Sequence, residues 1–499
     1  MHGARWRLAS LLVWAWVWGW VWGGDVGAQL PSTVGWHTLS NTKLRPVCAC
    51  ENGFPTTCGG TGCDGITSAW SGGTFDTTRN RLIIFGGGHG DYYGNEIYAV
   101  SLNATPPTLT RINDPGTPVA SSCTESIAGG AQPNSRHTYD GVAYMENIDA
   151  MFIFGGSLSC AAGNFGQETW VYKFGTNTWE KKSPVNGTNP TGDAGMLTAY
   201  DPNSGLVFVH NRLNLFTYRY DTNTYTALPD SDGGIGYHMN MDIDPVRKKL
   251  VVAGEDVVAG GARVWLYDIS NPTTYTKTQR TTSGSSTCDT ILDNPYVGIA
   301  YDAATKDMLI WQNGNTVCQL NIDTGVWTER TFTGGASSSG LQGTHGRWQY
   351  SPKSNVFVVY TDVDADAKIF RNTTDIGADT DFANRCGAAG VTMCQGFNTI
   401  STSSSDWSGQ DLVRFDHNSA NANVLPRGDG QYRGTLDTSN QRSGAGSLKF
   451  TLDAGYATGN VAGQYLPQSN NGLGASFGQN TDWYVQFAVR YSPEYFSNQ

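Results

Sequence analysis

The chain has 499 residues, too many for one ordinary core, and only 15% of them are charged, against 62 glycines, 23 tyrosines and 19 phenylalanines. Few charges, much glycine and many aromatics favour short strands and tight turns over long helices, and no long segment repeats apolar residues at helical spacing. A formal net charge of −11 argues against nucleic acid as a partner, because phosphate binding wants a basic face. An acidic polysaccharide needs only a local basic pocket and stays open.

At the N-terminus, Arg5 and Arg7 precede an apolar run from Leu8 to Trp22, and Val26, Gly27 and Ala28 offer a small-residue cleavage site. Residues 1–28 therefore read as a secretory signal. The run is short for a membrane span, so a retained anchor is the lesser alternative, and no stable span is expected after signal removal. The mature chain is expected to be secreted or extracytoplasmic, in a periplasm or at a cell surface. All ten cysteines follow this segment, and an even count in an exported chain reads as disulfides. Close spacing pairs Cys386 with Cys394, Cys288 with Cys318 and Cys123 with Cys160, and leaves Cys48, Cys50, Cys58 and Cys63 to form two more bonds. A zinc site in that cluster is the weaker alternative, because the spacing is poor for a finger and no histidine is close in sequence.

Internal repetition is the strongest signal. An apolar strand, a turn with Asp or Asn, a second apolar strand, a loop and an aromatic strand recur in units starting at Gly73, Val142, Thr198, Met241, Ile299 and Trp348. A fourth strand follows as a Trp segment, as at Trp179 and Trp327. A lone blade cannot bury both faces, whereas blades stacked in a ring can. The sixth unit lacks a fourth strand, and Gly35-Trp36-His37-Thr38-Leu39 has the character to supply it and close the ring. The count is six blades, or seven if the Cys-rich loop hides one. The doublets Gly86-Gly87 and Gly155-Gly156 and the blade tryptophans resemble kelch and galactose-oxidase-like β-propellers. That resemblance implies an all-β fold, with the propeller placed at residues 29–400.

Ser401 to Ser405 form a Ser-rich linker. Beyond it, segments around Asp411, Gly444 and Trp483 alternate apolar and polar residues as sandwich strands do. They resemble the opening strands of concanavalin-like jelly rolls and laminin-G-like modules, so residues 406–499 are expected to be a partial β-sandwich.

In a propeller blade, the segment leading into the innermost strand (a) opens on the same face as the loop joining strands b and c. His137, His238 and His345 fall on such lead-ins, and His89 and His210 fall on b–c loops. All five are expected on one rim, with Asp91, Tyr92, Asn95, Arg136, Tyr139, Arg212 and Arg347. The bland alternative is that a lead-in histidine only bonds the backbone of a neighbouring blade. The rim is similar in residue types to propeller-fold ulvan lyases, a class of polysaccharide lyase. That resemblance implies histidine and tyrosine in proton transfer and arginine on a uronate carboxylate. His89, His137 and Tyr139 are the candidate catalytic residues, and Arg212 or Arg347 the candidate carboxylate ligand. Asp91, Tyr92, Asn95, Arg136, His210, His238 and His345 are candidate substrate contacts. The chemistry asks for these types, because the C5 proton is weakly acidic until the neighbouring carboxylate is neutralised.

Two other classes compete: a non-catalytic glycan-binding or adhesion protein, and a copper oxidase like galactose oxidase. The oxidase needs a free cysteine beside a tyrosine, and the cysteines are assigned to disulfides. No cofactor is required by these residues, and a structural divalent cation is compatible with them. Asp362, Asp364 and Asp366 begin like a calcium loop but lack its sixth-position glycine and twelfth-position glutamate, so they read as a solvated turn.

Overall fold

The computed structural model describes residues 30–373, except 118–122, 161–163, 186–187, 229–233, 272–273 and 338–342. Beyond them it describes only the backbone of four short strands, Thr399–Ser401, Leu412–Arg414, Gly434–Asp437 and Ser447–Phe450.

Six four-stranded antiparallel sheets make a propeller. Blade I holds Gly72–Asp76, Arg81–Phe85, Tyr98–Ser101 and Thr108–Arg111. Blade II holds Val142–Met145, Ala150–Ile153, Thr169–Lys173 and Thr178–Lys182, and blade III Leu197–Asp201, Leu206–His210, Leu215–Arg219 and Thr224–Leu228. Blade IV holds His238–Asp244, Lys249–Glu255, Ala262–Asp268 and Lys277–Gln279, and blade V Gly298–Asp302, Asp307–Trp311, Thr316–Leu320 and Trp327–Thr331. Blade VI holds Trp348–Ser351, Val356–Val359 and Lys368–Arg371 from the end of the propeller. Its fourth strand is Gly35–Thr38, paired so that Gly35 faces Arg371 and Thr38 faces Lys368. The expected closure by the two ends of the domain is what the structure shows. Trp36 seals it by packing against Trp311, Trp348 and Phe370. The innermost strands touch in order around the ring, from blade I to blade VI and back to blade I.

The repeat has a local cause. In blades I, III, IV and V, an aspartate ending strand a accepts backbone N–H bonds from the turn that follows, as Asp76 does from Arg79 at 2.9 Å and Asp244 from Val246 at 3.0 Å. Ser351 does the same in blade VI. In every blade the residue before strand b is left-handed: Asn80, Asp149, Gly205, Lys248, Lys306 and Asn355. Side chains of adjacent blades then interlock. Val251 and Ala253 of blade IV, for example, pack with Ile299, Met308 and Ile310 of blade V. Each such fully buried aliphatic contributes about 1.5–3 kcal/mol.

The Cys-rich loop forms short 3-10 turns between Arg45 and Asp64, not a seventh blade. Its cysteines are bonded as Cys48–Cys63 and Cys50–Cys58, which removes the zinc alternative. Cys123–Cys160 and Cys288–Cys318 pair as expected. Four disulfides fit an oxidising, extracytoplasmic compartment. The expected Cys386–Cys394 bond, the 1–28 signal and most of the 406–499 sandwich lie outside the described residues. Among the described residues, no helix is long and apolar enough to cross a membrane. The Asp362–Asp366 turn is occupied by the chain itself: Asp366 accepts from Thr42 N, and Asp364 pairs with Arg45.

Candidate functional site

The lead-ins to strands a and the b–c loops do meet on one face, around the mouth of the central funnel. Its floor is a chain of rings in contact. His89 lies 5.3 Å from His137, centroid to centroid, and His137 lies 5.0 Å from Trp70. Tyr139 lies 6.3 Å from Trp70 and 5.3 Å from His345. His345 continues to Tyr296 at 5.9 Å, Tyr296 to His238 at 4.5 Å, and His238 to Tyr237 at 4.1 Å. The guanidinium of Arg212 sits over Tyr237 at 5.4 Å.

The backbone beneath these rings is unusual. Trp70, His89, Tyr139, Arg212, Tyr296 and His345 all have φ between +44° and +72°. A bulky side chain in that region is a genuine outlier and costs on the order of 1–3 kcal/mol. Elsewhere most left-handed residues other than glycine are the Asn, Asp and Lys of tight turns. Here the strain belongs to large aromatic, imidazole and guanidinium side chains gathered at one mouth. Strain of this kind persists only where the surrounding structure over-determines it.

Two histidines are oriented by carboxylates. His137 Nε2 bonds Asp91 Oδ2 at 2.9 Å, and the ring is held also by the Gly88 backbone. Burial pushes this imidazole below its ordinary value, opposed by the Asp91 hydrogen bond. His238 Nδ1 bonds Glu255 Oε2 at 2.5 Å, and its Nε2 is buried with no hydrogen-bond partner among the described residues. Arg212 pairs with Asp193 through Nε and Nη2 at 2.9 and 3.0 Å. That leaves Nη1 without a partner among the described residues. The Tyr139 hydroxyl likewise has no partner among them. Burial raises its pKa well above the usual phenol value, as do Tyr296, Tyr237 and Asp193, with Arg212 opposing. The phenol is therefore neutral and able to donate. Leu213, Tyr237, Val257 and Val258 are exposed on the blade III and IV side, giving the mouth an apolar lip.

The loop carrying His89 and Asp91 is clamped from both sides. His89 N donates to the Leu158 carbonyl and Gly90 N to the Ser159 carbonyl, both at 2.8 Å, beside the Cys123–Cys160 bond. Gly60 N and Thr61 N donate to the Gly90 and Asp91 carbonyls at 2.8 and 3.1 Å, from within the Cys-rich knot. At Gly88, φ is +78° and a Cβ would stand 2.4 Å from Arg136 Cα, so only glycine lets the loop approach the blade II lead-in.

The structure therefore gathers His89, Asp91, His137, Tyr139, Arg212, His238 and His345 at the funnel, and places five other expected residues in the scaffold. Arg347 is fully buried and donates to the carbonyls of Ser71, Tyr360, Thr67 and Gly343, at 2.6–2.9 Å. It staples blade VI to blade I and has no group left for a substrate carboxylate. Arg136 is buried in the same way on the Asn134, Gly155 and Glu125 carbonyls. Desolvation lowers both guanidinium groups to about 10, still charged at neutral pH. Tyr92 donates to buried Glu96 at 2.5 Å, and Asn95 bonds Gln132, Pro133 and Gly116. His210 is buried, accepting from Arg212 N at 3.0 Å and lying 3.3 Å from the Tyr267 hydroxyl. His210 thus bonds the backbone of its own blade and a tyrosine side chain of the next one. Sequence reasoning missed Trp70, Tyr296 and Asp193. Trp70 and Tyr296 occupy the lead-in slot, two residues ahead of strand a, and that spacing could have found them.

No family model matches the chain, and no curated protein matches it. Among solved structures it is similar to YjhT, at 12% identity and a TM-score of 0.41, over 61% of this chain and 93% of that one. It is similar also to a fungal alcohol oxidase of the AA5 family in complex with copper, at 11% and 0.37, over 60% and 62% of the two chains. An auxiliary nutrient binding protein from Bacteroides thetaiotaomicron gives 10% and 0.38, over 61% and 69%. Likenesses this distant carry no argument about chemistry, which rests on the funnel itself.

Proposed function

We propose that this chain is an exported carbohydrate-active propeller that cleaves a uronate-containing polysaccharide by β-elimination at the funnel. One observation carries the reading: the Tyr139 hydroxyl, without a partner among the described residues, stands on a strained floor of aromatic and imidazole rings, within the electrostatic reach of Arg212. Tyr and Trp faces stack on sugar rings. The open Nη1 edge of Arg212 is suited to a carboxylate oxygen, and with Arg347 buried Arg212 is the one of the two candidates weighed from sequence that keeps a donor for it. Neutralising that carboxylate acidifies C5–H. A histidine on the floor takes the proton, the C4–O4 bond breaks as the C4=C5 double bond forms, and neutral Tyr139 gives its proton to the departing O4.

The test is absorbance near 235 nm with a panel of uronate polysaccharides. Unsaturated product from the wild type, lost in Tyr139→Phe, supports the lyase. Binding to a glycan without product from any polymer favours a glycan-binding propeller, which would use the same stacking surface.

A further inference from the structure

Resting on that reading, we infer that His238, oriented by Glu255, is the proton acceptor at C5, and that the Asp91–His137 pair organises the opposite wall. His89 and His137 are the histidine candidates from sequence. The ring of His137 is committed to Asp91 and to the Gly88 backbone. His345 bonds Asn240 Oδ1 through Nδ1 at 3.3 Å, an amide and not a carboxylate. No described residue hydrogen-bonds the His89 ring and fixes a tautomer.

His238 differs from all three. Glu255 is a carboxylate acceptor, so the 2.5 Å contact puts the His238 proton on Nδ1 and the lone pair on Nε2. That lone pair is buried and has no partner among the described residues. An unsatisfied buried acceptor is destabilising, and a bound donor or a transferred proton would relieve it. The ring is clasped between Tyr237 and Tyr296, at 4.1 and 4.5 Å, so it cannot turn away. The groups facing it are Glu255, Tyr237 and Tyr296, with Arg212 beyond Tyr237 and His345 beyond Tyr296.

The balance is simple. The C5–H pair becomes the C4=C5 π bond, the proton goes to His238 Nε2, and the C4–O4 pair leaves with O4 and takes the Tyr139 proton. Solvent then returns a proton from His238 to Tyr139, and no oxidant or co-reactant is required. His238 sits on the blade IV lead-in and Tyr139 on the blade II lead-in, so acid and base reach the sugar from different blades.

The experiment compares wild type, His238→Ala, His238→Gln and Glu255→Gln on a polymer the wild type cleaves, with glycan affinity and melting temperature measured alongside. The inference expects kcat to fall about 10²–10⁴-fold in both His238 variants, with affinity and melting temperature held in at least His238→Gln. Glu255→Gln should weaken kcat and move the acidic limb of the pH profile, which a merely structural contact would not do. If His238→Gln keeps kcat within about threefold of wild type, this inference falls and the lyase stands. If the wild type binds glycans but cleaves none, the lyase reading falls and this one with it.

Discussion

The two walls of the funnel hold similar pairs by different means. On the blade I and II side, Asp91 sits in a glycine loop pinned through backbone bonds to two disulfide-tied segments, and it reaches His137 on the blade II lead-in. On the blade IV side, Glu255 ends strand b directly opposite His238 at the start of strand a, and their contact comes with the sheet register. A pair built into a sheet needs no external clamp, and it can leave one nitrogen open. A pair built on a loop is precise only while the loop is held. Under the proposed elimination, the chemistry falls to the wall that needs no support, and shaping of the mouth to the wall that does.

Tyr139 faces both walls, so the largest effect is expected there. Tyr139→Phe keeps the ring and removes the hydroxyl, and turnover should fall about 10²–10⁴-fold. Glycan affinity should change far less, because stacking survives. A loss of affinity equal to the loss of turnover would mark Tyr139 as a binding residue only.

The clamp predicts a different asymmetry. Replacing Cys50 and Cys58 by serine, or Cys123 and Cys160, should cost about 2–4 kcal/mol of stability. Hydrogen exchange should rise at Gly60, Thr61, His89 and Gly90, whose amides close the clamp, and stay unchanged at His238 and Gly254 in the blade IV sheet. Equal acceleration on both walls would show that the disulfides support the whole ring and not this loop.

The fold was far more legible than the site, and the reason is physical. Blade repetition is written in apolar runs and Asp turns, because each strand b must be buried on both faces and each a–b turn must be capped. Trp36 could be assigned to blade VI because a ring with one strand missing has only one place for it. The rim face could be read as well, since lead-ins and b–c loops share an end by topology. Accessibility could not. Arg347 and Arg212 look equivalent in sequence, yet one spends its donors on four carbonyls of two blades and the other keeps an edge free. The left-handed backbone of Trp70, Tyr139, Tyr296 and His345 also leaves no trace in residue type, because glycine is what such φ values would have suggested.

Acid should also separate the walls. His137 has a lowered pKa in the fold because it is buried. In the unfolded chain it titrates near its ordinary value of about 6.5. The unfolded chain then binds more protons in the window below that value. Stability contributed by neutral His137 is full above it and declines as pH falls through it. His137→Gln should flatten this part of the stability–pH curve, measured by denaturant unfolding between pH 5 and 7 (about one unit either side of that value). An unchanged slope would mean that Asp91 compensates the burial fully.

The smallest expected effect is the most direct probe of stored strain. His89 has φ of +45° and a partly exposed ring. His89→Gly removes a left-handed cost of roughly 1–2 kcal/mol and adds about 0.5–1 kcal/mol of unfolded-chain entropy. The fold should therefore come out unchanged or up to about 1.5 kcal/mol more stable, while the ring partner of His137 is lost and glycan affinity weakens. A funnel built for ligand should show that opposition, with stability rising as binding falls. If His89→Gly destabilises the protein instead, the ring is a packing element of the clamp, and the left-handed backbone on this wall is a by-product of the glycine loop that carries it.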